Sequence, residues 1–255
     1  MKLKNALLTG AAIILIGVIC YSAYQLYDIG RSRTQEAEVR DSFMQYHPMS
    51  HLPTPESVTA ESPTARVVNQ SIADMRVKNP DIVGWVTVPN TKADYPFVQG
   101  ADNEQYLHLD LNHRQSAAGS IFMDARNNPD FSDFNSIIYG HHMRNGSMFG
   151  SLQSFDNRAF FDDHTTGTIF LTNVTYDIEF MAFAIISPDD AVIYNTAISA
   201  DSDKIAFLDH VATIARHYRD IGAAPGDRIV TLSTCSYEFD NARLVLIGRI
   251  NERAQ

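Results

Sequence analysis

Cysteine is scarce in this chain. Two residues, Cys20 and Cys235, stand among 255, which excludes a disulfide scaffold and a cysteine-rich zinc site. Basic charge is short as well: 20 Lys+Arg face 30 Asp+Glu, for a formal net charge of -10. With no basic surplus to meet phosphates, a nucleic-acid partner is excluded. The sequence has no internal repeat, no long low-complexity segment and no acidic cluster that compels a metal ion. Apolar material, by contrast, is plentiful. Hydrophobic residues make up 45% and aromatics 10%, enough for a full-sized core and too much for wholesale disorder. The length allows one ordinary domain with appendages, or two small ones.

Asn5 to Tyr27 carries no charge, and its centre, Ala11 to Ile19, is apolar all round. A bilayer crossing needs about 20 residues. Lys2 and Lys4 precede the run. The pattern predicts a cytoplasmic leader and transmembrane anchor over residues 1–27, with everything after Asp28 outside the cell. A cleaved signal peptide fits less well, because Tyr21 and Tyr24 crowd Ser22 and Ala23. Val18 and Ile19 are bulky for a lipoprotein site at Cys20. Cys235 is then the single cysteine of an exported domain. It is either a tolerated buried thiol or one kept free for chemistry.

Residues 28–64 read as a polar stalk helix followed by a linker, with four prolines between His47 and Pro63. The remainder, 65–255, reads as one extracellular domain. A helix is predicted over Ala65–Val77, with Val68, Ile72 and Met75 on one face. Short β-like runs follow at Gly84–Val88, Ser120–Met123, Ser136–Tyr139, Thr168–Thr172, Ile178–Ile186, Arg228–Thr234 and Ala242–Ile250. Seven or eight such strands suggest a closed barrel or a sandwich. A second helix is predicted over Ser199–Arg219, capped by Ser199. Asp201 and Asp203 complement its positive end, and Arg216 and Arg219 its negative end.

Cys235 falls at the carboxyl end of Arg228–Thr234, and Arg243 opens the next strand. An antiparallel hairpin would make the two neighbours. A guanidinium beside a thiol favours the thiolate and can hold a developing oxyanion. His141 and His142 follow the apolar run Ser136–Tyr139 through Gly140, which is read as a sharp turn that sets an imidazole at a strand mouth. Imidazole can donate a proton to a leaving amine near neutral pH. Adjacent histidines on a strand diverge and chelate one metal poorly.

Tyr139-Gly140-His141-His142-Met143, Gly146-Ser147-Met148-Phe149 and Thr231-Leu232-Ser233-Thr234-Cys235 with Arg243 closely resemble the sortases, membrane-anchored cysteine transpeptidases of Gram-positive bacteria. Asn79–Trp85, Gly119–Asp124 and the helix before the cysteine-bearing strand resemble class B members. The resemblance covers about Asn79 to Ile250. It implies a mainly β fold, an eight-stranded barrel with flanking helices. It implies Cys235 as nucleophile, His141 as general acid and base with His142 a neighbour, and Arg243 as the group that orients substrate and holds the oxyanion. Ser233, Tyr194 and Leu107 are implied at the substrate peptide, and Asn103 as an amide that supports the histidine. The implied partners are surface proteins with a carboxyl-terminal sorting signal of Asn-Pro-x-Thr-x or Ser-Pro-x-Thr-x type, and an amine of a peptidoglycan precursor. No metal or organic cofactor is implied.

Other readings make distinct expectations. An L,D-transpeptidase carries Ser-x-Gly-Cys with an arginine close behind, whereas Thr234 precedes Cys235 here. A papain-like hydrolase puts its cysteine on a helix. A pilin-polymerising sortase would use a lysine amine. A non-catalytic haem or metal module built on His141, His142 and Met143 would leave Cys235 dispensable.

Overall fold

The computed structural model describes residues 2–48, 68–235 and 242–254. Its first element is one continuous helix, α1 (Lys2–Met44). Among the described residues no helix is long and apolar enough to cross a membrane, which corrects the expectation of a transmembrane anchor. The uncharged run up to Tyr27 is interrupted by Gly10, Gly17 and Ser22. It also carries polar groups, with Gln25 donating to the Tyr21 hydroxyl at 2.7 Å.

The second half of α1 is docked on the domain. Val39 and Phe43 are buried against Tyr106, Leu107 and Leu111. Gln35 Nε2 donates to Asp110 at 3.0 Å and to the Gln115 carbonyl at 2.9 Å. The Tyr95 hydroxyl donates to Glu36 at 3.0 Å. Burial, with the Glu36 charge beside it, pushes that phenol up to about 12. Most of the expected proline-rich linker lies outside the described residues. Helix α2 (Gln70–Lys78) starts later than the pattern predicts, because Asn69 caps it by accepting from the Ile72 N–H. Ile72 and Met75 are fully buried, whereas Val68 precedes the helix and is exposed.

The strands are β1 (Ile82–Thr87), β2 (Asp94–Val98), β3 (Ile121–Met123), β4 (Asn135–His141), β5 (Thr166–Leu171), β6 (Thr175–Ile186), β7 (His217–Tyr218), β8 (Arg228–Cys235) and β9 (Arg243–Glu252). Their order is β5-β1-β2-β3-β4-β8-β9-β6, and β6 pairs back onto β5. Eight strands thus close a barrel, and closure leaves no open edge along it. The two-residue β7 is appended to β6. Every pairing is antiparallel except β2–β3 and β4–β8.

Side chains alternate across the barrel wall. Phe97, Ile121, Met123, Ile138, Leu232, Leu244 and Leu246 share the interior with Phe149 and Phe180. The outer face is covered in two places. Helix α3 (Gln105–His108), α1 and α2 cover Trp85, Val98, Phe122 and Phe170. Helix α5 (Asp201–Ile214) and the segment before it cover Ile229, Val245 and Ile247. A short helix α4 (Arg158–Asp163) leads into β5.

Two sequence expectations change here. Helix α5 is shorter than Ser199–Arg219. Ala200, not Ser199, occupies its cap position and makes no side-chain cap. Arg219 instead donates to the Phe180 and Phe161 carbonyls, at 2.7 Å and 2.6 Å, so the chain has left the helix and runs along β6. Gly140 is no turn. It lies within β4, where a Cβ would meet Ile121 Cδ1 at 2.4 Å and the Phe149 ring at 2.8 Å. The glycine is there because the barrel interior is already full.

Ser136 on β4 is fully buried, and its hydroxyl has no hydrogen-bond partner. An unmet polar group costs free energy that an apolar replacement does not. Ser136→Ala is therefore expected to leave stability unchanged or raise it by up to about 1 kcal/mol, read from urea unfolding midpoints. A clear loss would contradict the assignment.

Candidate functional site

The mouth of the barrel between β4 and β8 brings the sequence-predicted residues together. Parallel register sets Tyr139 beside Ser233, Gly140 beside Thr234 and His141 beside Cys235. Strand β9 runs antiparallel to β8, with Ser233 opposite Val245. Continued by two residues, that register puts position 235 opposite Arg243. The Leu244 N–H donates to Thr234 Oγ1 at 3.1 Å and holds the two strands together there. Ile138, Leu232 and Leu244 point inward, so alternation assigns positions 139, 141, 233 and 243 to one outer face.

His141 is half-buried, and its Nε2 donates to the Leu107 carbonyl at 2.9 Å. A carbonyl only accepts, so this bond fixes the Nε2–H tautomer and leaves Nδ1 as the acceptor. Burial lowers the ring's pKa below 6.5, and the nearby charges of His108 and Arg243 lower it further. The ring is therefore neutral at pH 7, able first to take a proton and then to return it. This group's contribution to stability is present above about 6.5 and is lost as pH falls from there towards the folded value. An NMR titration is expected to place the His141 midpoint below 6.5 and to move it upward in Arg243→Gln. A midpoint indifferent to Arg243 would sever that electrostatic link.

The remaining sequence candidates divide. Tyr194 reaches the site: its hydroxyl meets Ser233 Oγ at 2.9 Å, and its ring stacks on Tyr139 at 6.3 Å. Ser233 is fully buried, so its hydroxyl is engaged with Tyr194. Leu107 contributes its carbonyl to His141, while its side chain is buried under α1. Asn103 does not support the histidine in the bonds described. Its Nδ2 donates to Asp124 at 3.1 Å and its Oδ1 accepts from the Ala125 N–H at 2.8 Å. The hydrogen bond described at His141 is the one to the Leu107 carbonyl.

The segment that carries Tyr194 is held from behind. Asp190 accepts from His210 Nε2 at 2.9 Å and from the Val192 and Ile193 N–H groups, both at 3.0 Å. His142 pairs with Met148 through an isolated bridge. Among the described residues no group of three or more His, Cys, Asp or Glu could hold a metal ion. Sequence reasoning missed Tyr139, although its spacing from His141 puts both on one strand face. It also missed Asp124 and Arg126, whose contacts come from distant segments.

A strand-end cysteine beside a neutral imidazole, with an arginine strand adjoining, defines a cysteine-dependent acyl-transfer enzyme. The Sortase domain family matches residues 86–251. Sortase B of Listeria monocytogenes is 30% identical, over 98% of this chain and 99% of that protein. The Staphylococcus aureus sortase B–substrate complex superimposes with a TM-score of 0.77 at 27% identity, covering 88% of this chain and all of that one. Sortase B of Bacillus anthracis in complex with AAEK1 gives a TM-score of 0.75 at 30% identity, over 88% and 99% of the two chains. The chain belongs to the sortase family, in class B, and is a cysteine transpeptidase.

Proposed function

We propose that this transpeptidase acts outside the cell on surface proteins with a carboxyl-terminal sorting signal of Asn-Pro-x-Thr-x or Ser-Pro-x-Thr-x type. It cleaves after the threonine and joins the protein to a peptidoglycan amine. The register that sets His141 beside Cys235, with Arg243 on the neighbouring strand, carries this reading. The substrate complex of the S. aureus relative lends it support.

The Cys235 sulfur attacks the threonine carbonyl as His141 Nδ1 takes the thiol proton. Arg243 and backbone N–H groups hold the oxyanion. Collapse breaks the peptide bond, and His141 delivers its proton to the departing amine. An incoming amine attacks the thioester, passes a proton to His141 and releases the new amide. The returned proton restores the thiol. The thioester preserves the energy of the amide, so no nucleotide is consumed.

The test incubates the full chain with a library of Asn/Ser-Pro-x-Thr-x peptides and with hydroxylamine, glycine, diaminopimelate or lysine amines. Mass spectrometry reads cleavage and any adduct. The expected result is cleavage after threonine and a thioacyl adduct on Cys235. Cys235→Ala should lose both, and Arg243→Ala should lose most of the rate. A folded wild-type chain that cleaves no peptide and forms no adduct would overturn the reading.

A further inference from the structure

One buried carboxylate joins three parts of the outer face that sequence keeps far apart. Asp124 follows β3 and is 0% exposed. It accepts the Tyr139 hydroxyl at 2.9 Å and Asn103 Nδ2 at 3.1 Å. It also accepts Arg126 three times: Nε at 2.8 Å, Nη2 at 2.7 Å and the backbone N–H at 3.0 Å. The same Nη2 reaches across to the Tyr194 carbonyl at 3.3 Å. The segment before α3, the strand of His141 and the segment of Tyr194 are thus tied to one anion and its guanidinium partner.

The two tyrosines held this way face each other. Their rings stack at 6.3 Å with 21° between planes, and both are half-buried. They lie beside Ser233, two residues before the cysteine on β8. A substrate peptide reaching Cys235 therefore crosses a floor whose aromatic walls are set by Asp124 and Arg126. Both groups lie behind the tyrosines rather than at the reacting atoms.

The chemistry selects a carboxylate. Five donor groups from three residues converge on it, and an ionised carboxylate accepts without donating. Burial alone would raise its pKa, but the hydrogen bonds from Arg126 and Tyr139 outweigh burial and hold Asp124 below the usual carboxylate range. An asparagine at 124 would turn its NH2 towards one of those donors. Arg126 is different, since its side chain is 56% exposed. It can be shortened without opening the core.

We infer that Asp124 and Arg126 are positioning residues for peptide binding: they preorganise the Tyr139–Tyr194 floor and so set KM rather than the chemical step. This rests on the peptide-cleaving role proposed above. The experiment measures steady-state cleavage of the best library peptide by wild type, Arg126→Ala, Arg126→Lys and Asp124→Asn. Melting temperature and the rate of Cys235 alkylation by iodoacetamide are followed alongside. Losing the three side-chain hydrogen bonds of Arg126 behind the floor is expected to raise KM about tenfold in Arg126→Ala, with kcat within about threefold. Arg126→Lys should recover part of the loss. Alkylation should match wild type, because the small reagent needs no floor. Asp124→Asn should show the larger KM change.

An unchanged KM in Arg126→Ala would overturn the inference. So would a fall in kcat and alkylation at constant KM, or a loss that merely tracks the unfolded fraction and disappears on cooling. If wild type cleaves nothing, the proposed function fails first, and that result is distinct from an active wild type with an indifferent Arg126.

Discussion

His141→Ala is expected to lower kcat/KM for sorting-peptide cleavage by a factor of about 100 to 10,000, the range a positioned general acid and base supplies. The basis is the fixed tautomer. Nε2 is committed to the Leu107 carbonyl, so Nδ1 alone is available beside Cys235. The neighbouring His142→Ala should stay within about threefold of wild type, because it contributes no group to that proton path. Single-turnover acylation would separate the two, with melting curves to show that both variants fold. Retention of more than about a tenth of the rate in His141→Ala would remove the residue from the chemistry.

The second large effect is expected at Gly119. This residue has φ +55, and a Cβ there would lie 2.6 Å from both the Leu107 and the Tyr106 carbonyl oxygens. Those contacts are backbone, so no side chain can swing aside. Gly119→Ala should cost about 1–3 kcal/mol through the left-handed strain alone, and the clash adds to it. The Leu107 carbonyl must also move, and it holds the His141 ring. Activity should therefore fall further than stability accounts for. Gly222→Ala is the control: its φ is +66, but a Cβ there meets nothing within 4 Å. It should lose a similar strain term and keep its rate. Equal activities for the two variants, corrected for folded fraction, would break the link from Gly119 to His141.

Much of the fold could be read from local pattern. Seven strands stood out as β-branched or apolar runs between turn residues, but their number left a closed barrel and a sandwich both open, and the barrel came from the resemblance to sortases. Strand β2 was missed because Pro96 and the acidic Asp94 disguise it. Asp94 accepts from Trp85 Nε1 at 2.7 Å and Thr87 Oγ1 at 2.8 Å, a cross-strand reason that no window of sequence contains. In α5, Phe207 is fully buried against Phe134 while Ile205 is exposed, a difference set by what the helix packs on. The first helix misled for a related reason. Its apolar run was legible, but the docking of Gln35, Glu36, Val39 and Phe43 depends on partners far along the chain.

The site shows the same division. Cys235, His141 and Arg243 stand at strand ends, but residue type alone left Cys235 between a buried thiol and a reactive one, and the resemblance to sortases assigned the roles. The support of His141 by a carbonyl does not announce itself, because every residue has one and only the close approach of Gly119 to Leu107 selects it. Arg126 and Tyr194 are joined by one hydrogen bond between segments with no shared pattern.

The parallel pairing of β4 with β8 has a bearing on how a cell can make such a protein safely. Parallel neighbours cannot be joined by a tight turn, so the imidazole and the thiol come from strands separated by β5, β6, α5 and β7. They meet only when that long crossover has brought β8 back beside β4, a non-local pairing of the slow kind. A nascent or partly folded chain holds both reactive groups and cannot yet combine them. Reactivity thus depends on a long-range pairing, so topology can do for this chain part of what a removable propeptide does for many secreted hydrolases.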